Sequence, residues 1–376
     1  MASIYFHIPF CKQKCSYCDF YSQIAPQYID SYIDAMIAEL YLRKDYLPTN
    51  EKISSIYFGG GTPSLLSGKQ FEKIFDAVNQ VFITDKNAEI TFEANPDDLS
   101  EIFFKEIENL PFNRLSIGIQ SFNDKFLRKI NRRHTAQQAV ESIQRAKEHN
   151  FTNISIDLIF GLPNQTFSEW KADVKKILSL DIQHISAYCL TYEEGTQLFE
   201  SRSAGQILET SEDILNKMYL FLIQSAEKQG FEHYEISNFA KNGFRAKHNS
   251  SYWNYGKYLG IGAAAHSFDG ENRRWNIPSI EKYIAAIASN KPFFEQEILS
   301  RKDKYNEYIM LSLRTAEGVD YEFIRKNFQE EYENYFFNNI QKFIATKKII
   351  LTENNRYVLT KEGILISNSV ISELMM

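Results

Sequence analysis

Three cysteines crowd the start of this chain. Cys11, Cys15 and Cys18 follow a Cys-x-x-x-Cys-x-x-Cys spacing, and the only other thiol among 376 residues is Cys189. Clustered thiolates with no fourth beside them suit a metal centre that keeps one coordination position free, as an iron–sulfur cluster does. A disulfide framework is disfavoured, because four cysteines with three crowded together do not staple a chain this long. A structural zinc site competes more seriously. Such sites usually close with four ligands, often as two separated pairs; no second pair follows here, although His7 could complete the set.

More reactive side chains recur at regular places. Gly59-Gly-Gly-Thr-Pro63 follows one β-rich run, Glu93-Ala-Asn-Pro96 closes another, and Gln120, Asp157 and Tyr188 sit at or near the ends of three more. A single such residue reads as a satisfied core polar group or, for the glycines, a turn. Repetition at the C-terminal ends of successive strands points to the face on which barrel enzymes place their chemistry.

The elements that must position these residues alternate strand and helix. Ser3–His7, Ile53–Gly59, Ala88–Ala94, Arg114–Gln120, Asn153–Ile159 and His184–Cys189 read as strands. Tyr28–Tyr46, Lys69–Phe82, Thr135–His149, Phe167–Ser179 and Thr210–Gln229 carry helical periodicity. Six strands alternating with helices predict an α/β fold with a parallel sheet, either doubly wound or barrel-like. From Arg301 onward the pattern changes to helices around the hairpin-like Ile349–Thr360, with a final helix over Ile364–Leu374, a small winged-helix-like α+β unit. That unit carries eleven basic and eleven acidic side chains. Its balance offers no footprint for phosphates.

Tyr5-Phe-His-Ile-Pro-Phe-Cys-x-x-x-Cys-x-Tyr-Cys18 resembles the cluster loop of the radical S-adenosylmethionine (SAM) superfamily. Within it, nearly the whole chain is similar to the branch of oxygen-independent coproporphyrinogen III dehydrogenases and their relatives, the HemW heme chaperones. The resemblance implies a partial, TIM-like (β/α)6 barrel over residues 1–235, a connecting region over 236–300 and the winged-helix-like unit over 301–376. It also implies a 4Fe–4S cluster on Cys11, Cys15 and Cys18, with SAM chelating the remaining iron. Gly60, Gly61 and Thr62 match positions that contact the methionine part of SAM, Tyr5 and Tyr17 match positions close to it, and Glu93, Gln120, Arg132 and Asp157 are carried over as SAM contacts. Arg132 has the donor fork a carboxylate needs, and Asp157 could accept from ribose hydroxyls. Asn131-Arg-Arg-His134 reads equally as a solvated basic turn.

His248-Asn-x-x-Tyr-Trp253 lies in an aromatic stretch whose plain reading is a packed ring cluster with bonded polar tips. It also looks like a signature of the HemW branch that the dehydrogenases lack. That resemblance makes His248 a candidate axial heme ligand, with Tyr252 and Trp253 as flat walls. His266, after Gly260-Ile-Gly262, is a second candidate, although the glycines equally suit a backbone contact to adenine.

Composition narrows the setting. A net charge of −6 argues against a nucleic-acid partner, and no apolar run approaches the ~20 residues that span a bilayer. Cluster-ready thiols and the lack of a secretory signal place the protein in the cytoplasm, and the start of the chain so near its first strand leaves little room for an N-terminal domain. Two functions from the resembling branch then compete with the zinc reading. One is a heme chaperone whose partners are heme and heme-requiring acceptors, respiratory proteins and bacterioferritin among them. The other is a dehydrogenase that oxidatively decarboxylates porphyrinogen propionates. The dehydrogenases resemble Cys-x-x-x-Cys-x-x-Cys-x-Cys, and this chain has Phe20 in place of the last cysteine. The chaperone reading leads, and the dehydrogenase is the alternative.

Overall fold

In the computed structural model, which describes residues 2–48 and 50–376, six strands pair in parallel in the order in which they occur in the chain. They are β1 (Ala2–Ile8), β2 (Ile53–Gly60), β3 (Thr84–Ala94), β4 (Arg114–Gln120), β5 (Ile154–Phe160) and β6 (His184–Cys189). An order that never reverses is the winding of a barrel, whereas a doubly wound sheet reverses at a switch point. The barrel stays open, because β1 and β6 each continue into other strands.

Beyond β6 lie β7 (Glu232–Glu235) and β8 (Asn238–Ala240), both antiparallel. Beyond β1 lies β9 (Tyr258–Ile261), which pairs with it in parallel, then β10 (His266–Phe268), β11 (Asn272–Asn276) and β12 (Phe294–Ile298). Twelve strands thus form one sheet, and β8 to β12, from the stretch between residues 236 and 300, extend its edges.

Helices Gly68–Val81, Ala136–Glu148 and Phe167–Leu178 start at Ser67, Thr135 and Thr166. Each start is a reciprocal capping box that satisfies otherwise unpaired N–H groups. Helix Ile29–Leu42 is shorter than the periodicity from Tyr28 to Tyr46 suggests. Arg43 caps it, with its buried guanidinium turned to Glu39, the Gly260 carbonyl and Ser267.

Alternation along the strands sorts the two faces. Ile4, Phe6, Ile56, Phe58, Ile90, Phe92, Leu115, Ile117, Ile156 and Ile185 are buried in the main apolar core. The residues between them are polar: Ser3, Tyr5, Ser55, Tyr57, Glu89, Glu93, Ser116, Asp157, His184 and Ser186. Successive side chains on a strand point to opposite faces, so the barrel has a polar interior, unlike the layered aliphatic filling of a closed eight-stranded barrel.

The C-terminal unit has a separate core around Tyr305, Ile309, Phe336, Ile340 and Val370. Its sheet is antiparallel, made of β13 (Val319–Asp320), β14 (Ile349–Leu351) and β15 (Arg356–Leu359). The expected last helix is two, Lys361–Leu365 and Ser367–Leu374, which meet at the non-helical Ile366. Among the described residues no helix is long and apolar enough to cross a membrane.

Candidate functional site

The loop after β1 is held at both ends. Pro9 accepts from the Gln23 amide and Cys11 donates to the Gln23 carbonyl, while Ser16 donates to the carbonyl of Ile130. Lys12 pairs with the buried Asp98 at 2.7 Å. The thiols of Cys11, Cys15 and Cys18 are free and partly exposed. The Thr62 hydroxyl lies 3.5 Å from Cys11 Sγ, and Arg132 Nη1 lies 3.4 Å from Cys15 Sγ. Burial and the neighbouring thiols push Cys18 up to about 11.

This donor set fits a cluster. Two of the three soft sulfurs have polar neighbours, Cys11 the Thr62 hydroxyl and Cys15 the Arg132 guanidinium. Gly61 forms the cradle, because a Cβ there would stand 2.7 Å from the Phe10 carbonyl and 3.0 Å from Cys11 Sγ. The zinc set that would use His7 is not formed. His7 is buried, with Nδ1 hydrogen-bonded to the Tyr5 hydroxyl at 3.0 Å and Nε2 to the Tyr21 carbonyl at 2.9 Å. Among the described residues no three or more His, Cys, Asp or Glu side chains converge as they would around a single ion.

Beside the loop, carboxylates line the barrel mouth. Glu93 accepts from the Tyr57 hydroxyl at 2.8 Å and from the Gly60 amide at 3.2 Å. Gly60 has φ +108°, a conformation suited to glycine. Asp157 accepts from Ser116 at 3.3 Å. Burial, the largest influence on each, lifts Glu93 to about 7 and Asp157 to about 6. In the cluster-free protein the folded state therefore binds more protons than the unfolded chain between about pH 4 and the raised values. Stability is expected to fall as pH rises through that window, and Glu93→Gln should flatten the upper part. Urea midpoints at half-unit steps from pH 4.5 to 7.5 check this; an unchanged slope in the variant would remove Glu93 as its source.

Arg132 and Arg133 part company. Asn131, with φ +58°, turns the chain so that Arg132 enters the site and bonds to Asn95 and the Gly118 carbonyl. Arg133 pairs outside with Asp97 and Asp98 at 2.8 and 2.9 Å. The segment is therefore not a solvated basic turn. Arg132 Nε is buried without a partner, an unsatisfied donor at the sulfurs. Gln120 is buried with φ +70°, where the β4–β5 register slips by one residue. Such a bulge re-aims a strand-end side chain. Tyr17 packs partly against a small apolar cluster that includes Phe126, Ile130 and Leu190.

His248 lies elsewhere. It sits on helix Lys247–Trp253, which plugs the N-terminal end of the barrel, and Glu89 accepts from the Lys247 and His248 amides. The ring is 1% exposed and stacks on Tyr57 at 4.9 Å. Nδ1 is bonded to Ser55 and Nε2 to Tyr252, both at 2.9 Å.

Residues 5–177 match the radical SAM superfamily, and residues 299–366 match the HemN C-terminal domain. The heme chaperone HemW of Lactococcus lactis is 37% identical over 375 residues, covering 100% of this chain and 97% of that protein. The chain belongs to the HemW family of the radical SAM superfamily. The HemW of Bacillus subtilis is 36% identical over 378 residues, with 98% of each chain covered. Coproporphyrinogen III oxidase (HemN) from Escherichia coli matches with a TM-score of 0.85 at 21% identity, over 100% of this chain and 90% of its own, which shows the shared fold.

In this HemW-family barrel the structure brings Cys11 to Gly61 and Thr62, and Cys15 to Arg132, with Gly60, Glu93 and Tyr57 joined to one another. It does not bring His248 there as an open ligand: with both ring nitrogens bonded and the ring enclosed, this conformation leaves no lone pair for an iron. Tyr252 lines a cavity that Tyr5, His7 and Phe20 also line, and Trp253 ends the helix partly exposed. Tyr57, Asn95, Ser116 and Glu89 were missed by motif reading. Their signal was the polar–apolar alternation in strands that, in a parallel sheet covered on both faces, would run continuously apolar.

Proposed function

We propose that this HemW-family protein binds heme and delivers it to heme-requiring acceptors, with a 4Fe–4S cluster on Cys11, Cys15 and Cys18 and SAM beside it. The full-length likeness to proteins named heme chaperones supports this reading. The carrying observation is Phe20, 65% exposed at an aromatic-walled cavity of about 560 Å³ next to the cluster loop, at the position where the dehydrogenases have a fourth cysteine. Cavities of that size are in the range that takes up small-molecule ligands and cofactors.

When bound, the cluster and SAM supply one-electron chemistry. The chain's part is to hold three thiolates, to place the Arg132 cation beside Cys15, and to offer Glu93 and Asp157 as acceptors. Acceptor hemoproteins, with respiratory proteins and bacterioferritin as candidates, and a reducing cytoplasmic setting complete the reading. Anaerobic reconstitution followed by hemin titration and a coproporphyrinogen III assay on one sample tests it. One heme per chain and no protoporphyrinogen IX are expected; turnover would reverse the assignment in favour of the dehydrogenase.

Glu93 provides a sharper test of the SAM site. A charge-assisted hydrogen bond contributes about 1.5–3 kcal/mol, so Glu93→Gln is expected to weaken SAM binding to the cluster-loaded protein by roughly 10- to 100-fold. Calorimetry with SAM reads it directly, and an unchanged affinity would take Glu93 out of the site.

A further inference from the structure

Of the seven histidines, six have at least one ring nitrogen in a hydrogen bond. His7, His184 and His248 have both engaged, and His134, His149 and His233 each have one. His266 alone has neither nitrogen bonded among the described residues, and it lines the same cavity as Phe20. It is exposed on β10, with its ring facing Trp275 on β11 at 6.3 Å.

We infer that His266 is the axial ligand of heme bound in the cavity between the cluster loop, β9–β11 and helix Arg301–Ser312. The inference rests on the heme-binding reading above and assigns its site. Three properties of the cavity support it. Its walls are flat and apolar where a macrocycle needs them, with Phe20, Tyr252, Tyr255, Tyr258 and Phe268 all lining it. It has a cation in its wall, because Arg273 lines it with both Nη atoms turned to Glu307, at 2.8 and 3.1 Å. A propionate would compete with Glu307 for that guanidinium. Met310 of the C-terminal unit adds a thioether, a second group of the kind that ligates heme iron.

The histidine is also free to ligate, since it lines the cavity with neither ring nitrogen bonded among the described residues. His248, by contrast, has each nitrogen engaged and would have to give up one of those hydrogen bonds and its stack on Tyr57 before it could reach iron.

Hemin titration of the cluster-loaded full chain, read by difference absorbance and by the electron paramagnetic resonance of the ferric heme, tests the assignment. Wild type is expected to bind one heme with a nitrogen-ligated signal. His266→Ala should lose that signal and weaken binding at least tenfold, while His248→Gln, which keeps hydrogen-bonding capacity inside the barrel, keeps it. His266→Gly with added imidazole should restore the ligated spectrum, which a merely structural role would not allow. A wild-type signal retained in His266→Ala, or lost only in His248→Gln, would overturn the site while leaving the heme reading intact. Absence of heme binding by the wild type would instead remove the heme reading itself.

Discussion

Replacing any one of Cys11, Cys15 or Cys18 with serine is expected to drop iron and labile sulfide in the reconstituted protein from about four of each per chain towards none, since thiolates hold such clusters. SAM affinity should fall with them. The expectation follows from the loop geometry. The three thiols are free, with Cys15 beside the Arg132 guanidinium and Cys11 beside the Gly61 cradle. Cys18, held at about 11 when cluster-free, must give up its proton on loading, so reconstitution should slow as pH falls. Cys189→Ser is the control, because that thiol is exposed at the end of β6 and its one hydrogen bond is a long contact with the Leu190 carbonyl. Iron and sulfide assays with metal analysis decide the matter. Stoichiometric zinc without sulfide in anaerobically prepared wild type would refute the cluster.

Glu39→Ala is expected to cost about 3–5 kcal/mol of stability, the range for breaking a buried ion pair by removal of one partner. Glu39 is fully buried and bonds Arg43 at 3.1 Å, the Gly262 amide at 2.8 Å, Asn276 at 2.8 Å and the Tyr283 hydroxyl at 2.6 Å. Truncation strands the Arg43 charge and three donors together. It also loosens the join between helix Ile29–Leu42 and β9–β11, the strands that carry His266. Glu39→Gln keeps an acceptor at the same place and should cost less. Urea unfolding of both variants measures the difference, and equal losses would mean that volume rather than charge satisfaction governs the site.

Much of this was legible beforehand, and the reason is locality. Strands β2, β4 and β6 begin at Ile53, Arg114 and His184, where the β-rich runs start, and helices Ala136–Glu148 and Phe167–Leu178 end within a residue of the periodic stretches Thr135–His149 and Phe167–Ser179. The cysteine spacing is covalent and needs no fold to exist. Glycine at 60 is legible for the same reason, since a left-handed backbone between a strand and a short helix favours that residue.

What was not legible depends on partners distant in the chain. His248 meets Ser55 across 193 residues, and that contact makes a motif histidine a buried barrel plug. Gln120 turns on a register slip against β5 that its own strand does not announce. The sequence by itself determined the order of strands and helices, the trio of thiols and the polar residues at strand ends, because each is written in spacing along a short stretch. Only the tertiary structure decided that Arg132 enters the site while Arg133 leaves it, and that His266 is the histidine with both nitrogens free. Hydrogen bonds are short-ranged and directional, so which groups are satisfied is settled only when far parts of the chain are brought face to face.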